Sequence, residues 1–126
     1  SSMAIWSGGG FMVSYLKNVQ WLARKRILYW GDIAEHGFQI LHQVRSYYGQ
    51  TKSVLMDFLT FERFREFVVD GERNKAEQLC YLSAEEHKLY DLLRGLTTGN
   101  RLEQEKIPQG YVNAFLSNWI NSVNSQ

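Results

Sequence analysis

With 126 residues, 44% of them hydrophobic, the chain suffices for one compact domain with a real core and is short for two. Fourteen basic residues against thirteen acidic leave a formal charge of +1, so no global field announces a polyanionic partner and any nucleic-acid binding has to be local. No stretch approaches the roughly 20 apolar residues of a membrane span, no basic-then-apolar leader is evident, and one cysteine excludes an internal disulfide; a soluble cytoplasmic domain is expected. That cysteine, Cys80, has no Cys or His at metal-ligand spacing and reads as a small apolar residue. Ser1-Ser2-Met3 reads as an extraneous start ahead of a strand that begins abruptly at Ala4, as in a piece of a longer protein.

The first segment, Ala4-Ile5-Trp6, is a short apolar strand followed by Ser7-Gly8-Gly9-Gly10, after which Met12, Tyr15, Leu16, Val19 and Leu22 recur at helical spacing. Backbone N–H groups of Gly8, Gly9 and Gly10 at a helix start can hold an anion, since glycine permits close approach and the helix dipole favours negative charge. The pattern matches neither G-x-G-x-x-G nor a P-loop, so plain tight-turn geometry stands beside phosphate contact. Lys17, Arg24, Lys25 and Arg26, with Trp21 among them, form a modest basic patch near that turn. It is either a solvated helix end whose cations complement the dipole or a contact for nucleic-acid phosphates.

The stretch from Arg26 through Ile27, Leu28, Tyr29 and Trp30 to Gly31-Asp32, and then Phe38, Leu41, Val44 and Tyr48 at helical spacing before Gly49, reads as strand, acidic turn and helix. In a parallel sheet such a turn lies at the carboxyl end of a strand, where ligand sites concentrate. Ser53-Val54-Leu55-Met56-Asp57 repeats the arrangement, so two neighbouring parallel strands are each predicted to end in an aspartate. Phe61, Phe64 and Phe67 with Val68 predict a short helix with its aromatic side inward, and residues 69–78 a polar surface connection. Ser83 and Glu86 make a capping box that opens a helix through Leu89, Leu92, Leu93 and Leu96, with His87 on its surface, and Thr97-Thr98-Gly99-Asn100 ends it. Over residues 102–107, Glu103 and Glu105 share a face if the segment is extended and lie about 200° apart if it is helical. Tyr111, Val112, Phe115, Leu116, Trp119 and Ile120 stripe a last helix that starts near Pro108 and serves as a docking element.

Asp32, Glu35 and Asp57 are hard oxygen donors, and two or three of them gathered at strand ends are what Mg²⁺ needs for octahedral oxygen coordination. Such an ion would stabilise charge on a phosphodiester and lower the pKa of an attacking water. The same residues also suit plainer roles, Asp32 and Asp57 as helix caps and Glu35 as a charge opposing the helix dipole. His36 and His42, six positions apart, do not make the i, i+4 pair of a zinc site and read as structural or solvent-facing. Neither a Gly-x-Ser-x-Gly elbow nor a Cys-His arrangement is present, so nucleophilic side-chain catalysis is not indicated.

The ordered motifs Tyr29-Trp30-Gly31-Asp32-Ile33-x-x-His36-Gly37-Phe38-x-Ile40-Leu41, Ser53-Val54-Leu55-Met56-Asp57, Leu82-x-x-Glu85-Glu86-x-x-Leu89-Tyr90 and Arg101-Leu102-Glu103-Gln104-Glu105-x-Ile107-Pro108 resemble the C-terminal Toprim domain of the DNA-cleaving subunit of Wadjet plasmid-defence systems. The resemblance spans nearly the whole chain. It implies a Toprim α/β fold related to the A subunit of type IIB topoisomerases, Mg²⁺ or Mn²⁺ binding, and cleavage of plasmid DNA together with SMC-like partner subunits, with a homodimer as a further option. Asp32 then matches the first aspartate of the Toprim Asp-x-Asp pair, and Gly8 to Gly10 the glycine turn. The second aspartate falls at Ala34, and nothing in residues 1–6 supplies the glutamate that Toprim folds carry on an upstream strand.

The reading is thus a single three-layer Toprim-like α/β domain over residues 1–126, its mainly parallel sheet containing 4–6, 26–30 and 53–56 with right-handed crossovers. Asp32 and Glu35 are the candidate catalytic residues, and Asp32, Glu35, Asp57, Glu103 and Glu105 the candidate metal ligands. Candidate DNA contacts are Gly8, Gly9, Gly10, Lys17, Arg24, Lys25, Arg26 and His36. Two functions follow: a catalytic fragment of a metal-dependent endonuclease, or a non-catalytic DNA-binding or subunit-docking module that keeps the fold without the site. Ala34 favours the second for this chain, the wider resemblance the first for its parent.

Overall fold

The run Ile27-Leu28-Tyr29 is buried along its whole length, as a strand covered on both faces must be, and it forms the middle of a parallel sheet. This strand, β2 (Arg26–Tyr29), lies between β1 (Met3–Trp6) and β3 (Lys52–Ser53). Met3 pairs with Arg26 and Trp6 with Tyr29 on one side; Leu28 pairs with Lys52 and Tyr29 with Ser53 on the other. The computed structural model describes residues 3–6, 23–75 and 77–124, so the predicted glycine turn, Lys17, Trp21 and the first predicted helix lie outside the described residues.

Among the described residues there are four α-helices, α1 (Glu35–Tyr47) between β2 and β3, and α2 (Phe58–Arg63), α3 (Ala84–Gly95) and α4 (Gln109–Asn124) after β3. The molecule is an α/β domain with a parallel sheet, the class that alternating apolar runs and amphipathic stretches predict. β3 is shorter than the predicted 53–56. The Val54 N–H still donates to the Tyr29 carbonyl at 2.9 Å, but Leu55 turns into the left-handed region at φ 56°, where a branched side chain is crowded and a strand cannot continue. Phe61 and Phe64 pack inward as expected, whereas Phe67 falls in a 3₁₀ turn (Arg65–Phe67) and is exposed. Cys80, read as a small apolar residue, is exposed, while its neighbour Leu79 is buried in the core.

α1 and α3 run antiparallel and are joined at three levels. Glu35 at the start of α1 pairs with Arg94 near the end of α3 at 2.8 Å. Phe38 and Tyr90 meet edge to face at 6.3 Å in the middle. At the far end Arg45 grips Glu86 with both terminal nitrogens and also donates to the Thr51 and Tyr81 carbonyls, at 3.1 and 2.7 Å. Glu86 is in addition the partner of Ser83 in the predicted capping box and accepts from the Ser53 hydroxyl, so one carboxylate ties β3, α1 and the start of α3 together.

Burial alone would raise the pKa of Glu86, but hydrogen bonds from Arg45, Ser53 and the Ser83 backbone, with the Arg45 charge, outweigh it and bring it down from 4.5 to about 2. A carboxylate with a depressed folded-state pKa stabilises the fold above its unfolded value and loses that contribution as pH falls, here between about 4.5 and 2. Urea titrations at pH 7, 4 and 3 are therefore expected to show stability falling by on the order of 2 kcal/mol from this group by pH 3. Glu86→Gln should be less stable at pH 7 and show a correspondingly flatter acid limb.

Candidate functional site

Asp32 leaves the carboxyl end of β2 and lines a cavity of about 330 Å³ together with Ala34, His36, Glu72, Arg101 and Glu105. Its turn is built by close backbone contact. A Cβ added at Gly37, in the first turn of α1, would come within 2.0 Å of the Asp32 carbonyl oxygen, so only glycine lets the helix start this tightly under the turn. Ile33 exchanges backbone hydrogen bonds with Leu102, both at 2.9 Å, and Arg101 exchanges them with Val69 at 2.8 and 3.0 Å. Three distant stretches of chain thereby meet around one aspartate.

Both oxygens of Asp32 are engaged: Oδ2 accepts from Arg101 Nη2 and Oδ1 from the Gln104 backbone N–H, each at 2.9 Å. Neighbouring Tyr29 has its phenol pKa raised, first by burial and then by the Asp32 charge, so it stays protonated. Ala34 faces the cavity beside Asp32, at the position where a second aspartate was expected from the resemblance.

The remaining predicted donors are dispersed. Glu35, 1% exposed, does not line the cavity; it is held by Arg94 at 2.8 Å, Arg73 at 3.6 Å and Asn100 at 3.4 Å. Asp57 caps α2, accepting from the Thr60 N–H at 2.9 Å, and belongs to a separate hollow near Glu85 and Phe115. Residues 104–106 form a 3₁₀ turn (Gln104–Lys106), so Glu103 and Glu105 do not share the face of an extended strand, and of the two only Glu105 lines the Asp32 cavity. His36 lies exposed on the cavity rim. His42 sits apart, its Nδ1 accepting from the Tyr81 N–H at 3.2 Å.

Sequence reasoning missed Glu72, Arg73 and Arg101. The first two lie in the segment 69–78, whose polar composition resembles any surface connection, and only the Val69–Arg101 bridge brings it to the site. Arg101 was legible as part of a motif without a role.

Strand register also separates the basic residues from this cavity. Trp6, the last described residue before the glycine stretch, pairs with Tyr29 near Asp32, whereas Arg26 pairs with Met3 at the opposite end of β2, about 10 Å away along the strand. Arg24, Lys25 and Arg26 therefore do not surround the acidic turn, nor the strand end from which the glycine stretch departs. They line a groove of about 750 Å³ with Lys52, Gln50 and Trp119.

A scan against protein-family models matches residues 1–116 to the Wadjet protein JetD, C-terminal. The chain belongs to this family. Membership in the JetD C-terminal family connects the domain to the Wadjet defence systems, as its ordered motifs led one to expect. No curated protein matches the chain. Among the described residues no helix is long and apolar enough to cross a membrane.

Would this member of the JetD family hold Mg²⁺ or Mn²⁺ at Asp32? Among the described residues the turn does not fit the ion: both Asp32 oxygens are hydrogen-bonded, a guanidinium stands against one of them, the Ala34 side chain offers no oxygen, and Glu35 is paired with arginines. Among the described residues no three His, Cys, Asp or Glu side chains are grouped to hold a metal.

Gly37→Ala tests the turn. Alanine ordinarily favours a helix interior by about 1 kcal/mol over glycine. Here the clash with the Asp32 carbonyl should reverse the sign, and thermal melting should show destabilisation of at least about 2 kcal/mol.

Proposed function

We propose that this domain is a Toprim-like module that has kept the fold of a metal-dependent plasmid-cleaving subunit while giving up its metal chemistry. It serves in the cytoplasm as a DNA-contacting and subunit-docking part of a Wadjet plasmid-defence complex. The observation that carries the reading is the occupied Asp32 carboxylate beside Ala34, supported by the committed ion pairs of Glu35. Mg²⁺ or Mn²⁺ at a DNA-cleaving site is held by one or two carboxylates together with the substrate phosphate, and among the described residues Asp32 and Glu35 are both already engaged.

DNA contact falls to the groove lined by Arg24, Lys25, Arg26 and Lys52, of which Arg24, Arg26 and Lys52 are exposed, with Trp119 at hand for stacking. Docking to SMC-like subunits falls to α4, whose Trp119 is half-buried and whose Ile120 is exposed. A second reading keeps catalysis: Glu72 and Glu105 line the same cavity as Asp32, and assembly with partners would have to free Asp32 and draw them in around Mg²⁺ or Mn²⁺.

A plasmid-cleavage assay on the assembled complex with Mn²⁺ separates the two. The docking reading expects cleavage to be absent, or to survive Asp32→Asn unchanged; cleavage abolished by Asp32→Asn supports the second. Duplex binding by the domain itself should be weak and fade with salt, log K falling by about 0.9 per neutralised phosphate for each unit of log salt. Arg24→Glu with Arg26→Glu should remove most of that binding in a low-salt anisotropy titration, whereas salt-independent binding would count against the groove.

A further inference from the structure

We infer that Arg101 is the resident cation of the Asp32 cavity: its guanidinium stands where a divalent ion would have to stand, and the turn is organised by this internal charge in place of a metal. The inference deepens the docking-module reading and rests on it only for the role of the domain, since the geometry stands by itself.

Arg101 does not reach Asp32 as a loose surface side chain. Its backbone is held on both strand edges of a small ladder, by Val69 through its own N–H and C=O and by Ile33 through the next residue, Leu102. Its aliphatic stem lies against Gly71, where an added Cβ would come within 2.8 Å of the Arg101 Cβ and 3.1 Å of its Cδ. Gly71 is itself fixed by its N–H on Asn100 Oδ1 at 2.7 Å. From this anchored stem Nη2 meets Asp32 Oδ2 at 2.9 Å, and the Gln104 N–H completes the carboxylate from the other side. Backbone, stem and head group all converge on one acceptor.

The charge count explains why metal and arginine exclude each other. A hydrated Mg²⁺ or Mn²⁺ surrenders its waters only to concentrated carboxylate charge at fixed geometry. Asp32 and Arg101 form a neutral pair, and an ion on the same carboxylate would sit within a few ångströms of the guanidinium, a repulsion that offsets much of the attraction of the one shared carboxylate. Ala34 leaves nothing to tip the balance. An aspartate there, facing the cavity beside Asp32, would supply the missing charge but would still compete with the arginine.

The test reads bound Mn²⁺ from the loss of the free aqua-ion signal in electron paramagnetic resonance, which does not depend on stability or activity. Wild type should bind no Mn²⁺ at this cavity. Ala34→Asp should bind weakly, and Ala34→Asp with Arg101→Gln at least about tenfold more tightly, because a positive charge has been removed from the ion's neighbourhood. Ala34→Asp with Arg101→Lys should behave like Ala34→Asp alone, since lysine restores the cation. Arg101→Met, which keeps the stem packing on Gly71, replaces Arg101→Gln if the latter does not fold. Ala34→Asp binding as tightly as the double variant would overturn the inference. A measurement on the unaltered protein keeps it falsifiable throughout: the Asp32 side-chain carboxyl ¹³C resonance should not move as Mg²⁺ is raised to millimolar levels, and a saturable shift would overturn it. Metal-dependent plasmid cleavage by the complex that Asp32→Asn abolishes, with an unresponsive Asp32 resonance in the domain, would instead defeat the docking reading and leave the Arg101 assignment standing.

Discussion

A carboxylate that has lost its water must find its counter-charge inside the fold, and Glu35, at 1% exposure, sets the terms for much of this domain. It begins α1, and the arginine that answers it, Arg94, lies near the end of α3; a second, Arg73, comes from the loop between. A buried carboxylate stripped of its counter-charge costs roughly 3–5 kcal/mol, so the two arginines tie the helix pair and the loop to a common assembly. Arg45 and Glu86 repeat the arrangement at the other end of the same two helices. Between these clamps the apolar contact of Phe38 with Tyr90 has its orientation fixed for it.

The same economy of charge governs the Asp32 turn. In a parallel sheet the carboxyl end of a strand is open to ligands because helix starts and loops converge there, and Asp32 stands at such a place. The convergence here delivers an arginine and a backbone N–H to the carboxylate, with Ala34 beside it. The Asp32 carboxylate is thereby neutralised from within the chain. The exposed cations of Arg24 and Arg26 stand at the other end of β2 from the acidic turn.

The sequence by itself determined the local elements, because each has a signal that acts over a few residues. The Ile27-Leu28-Tyr29 run can only be buried on both faces, and the Ser83–Glu86 capping box starts α3 as predicted. The helical spacing of Phe38, Leu41 and Val44 likewise brings all three into the core. Asp32 was recognisable as the residue at a strand end, and the ordered motifs sufficed to name the family.

Only the tertiary structure decided what those carboxylates do. Glu35, Asp57, Glu103 and Glu105 look equally available along a sequence, since a carboxylate carries no local mark of the partner it will meet. Arg94 lies 59 positions from Glu35, and Arg101 lies 69 from Asp32. Pairings over such separations are set by how helices pack and how segments bridge, through Val69 with Arg101 and Ile33 with Leu102, and no periodicity encodes them. The left-handed Leu55 that shortens β3 belongs to the same class: leucine has no intrinsic preference for that conformation, so surrounding packing must impose it. Local patterns choose the elements; the long-range matching of buried charge decides which of their side chains remain free to act.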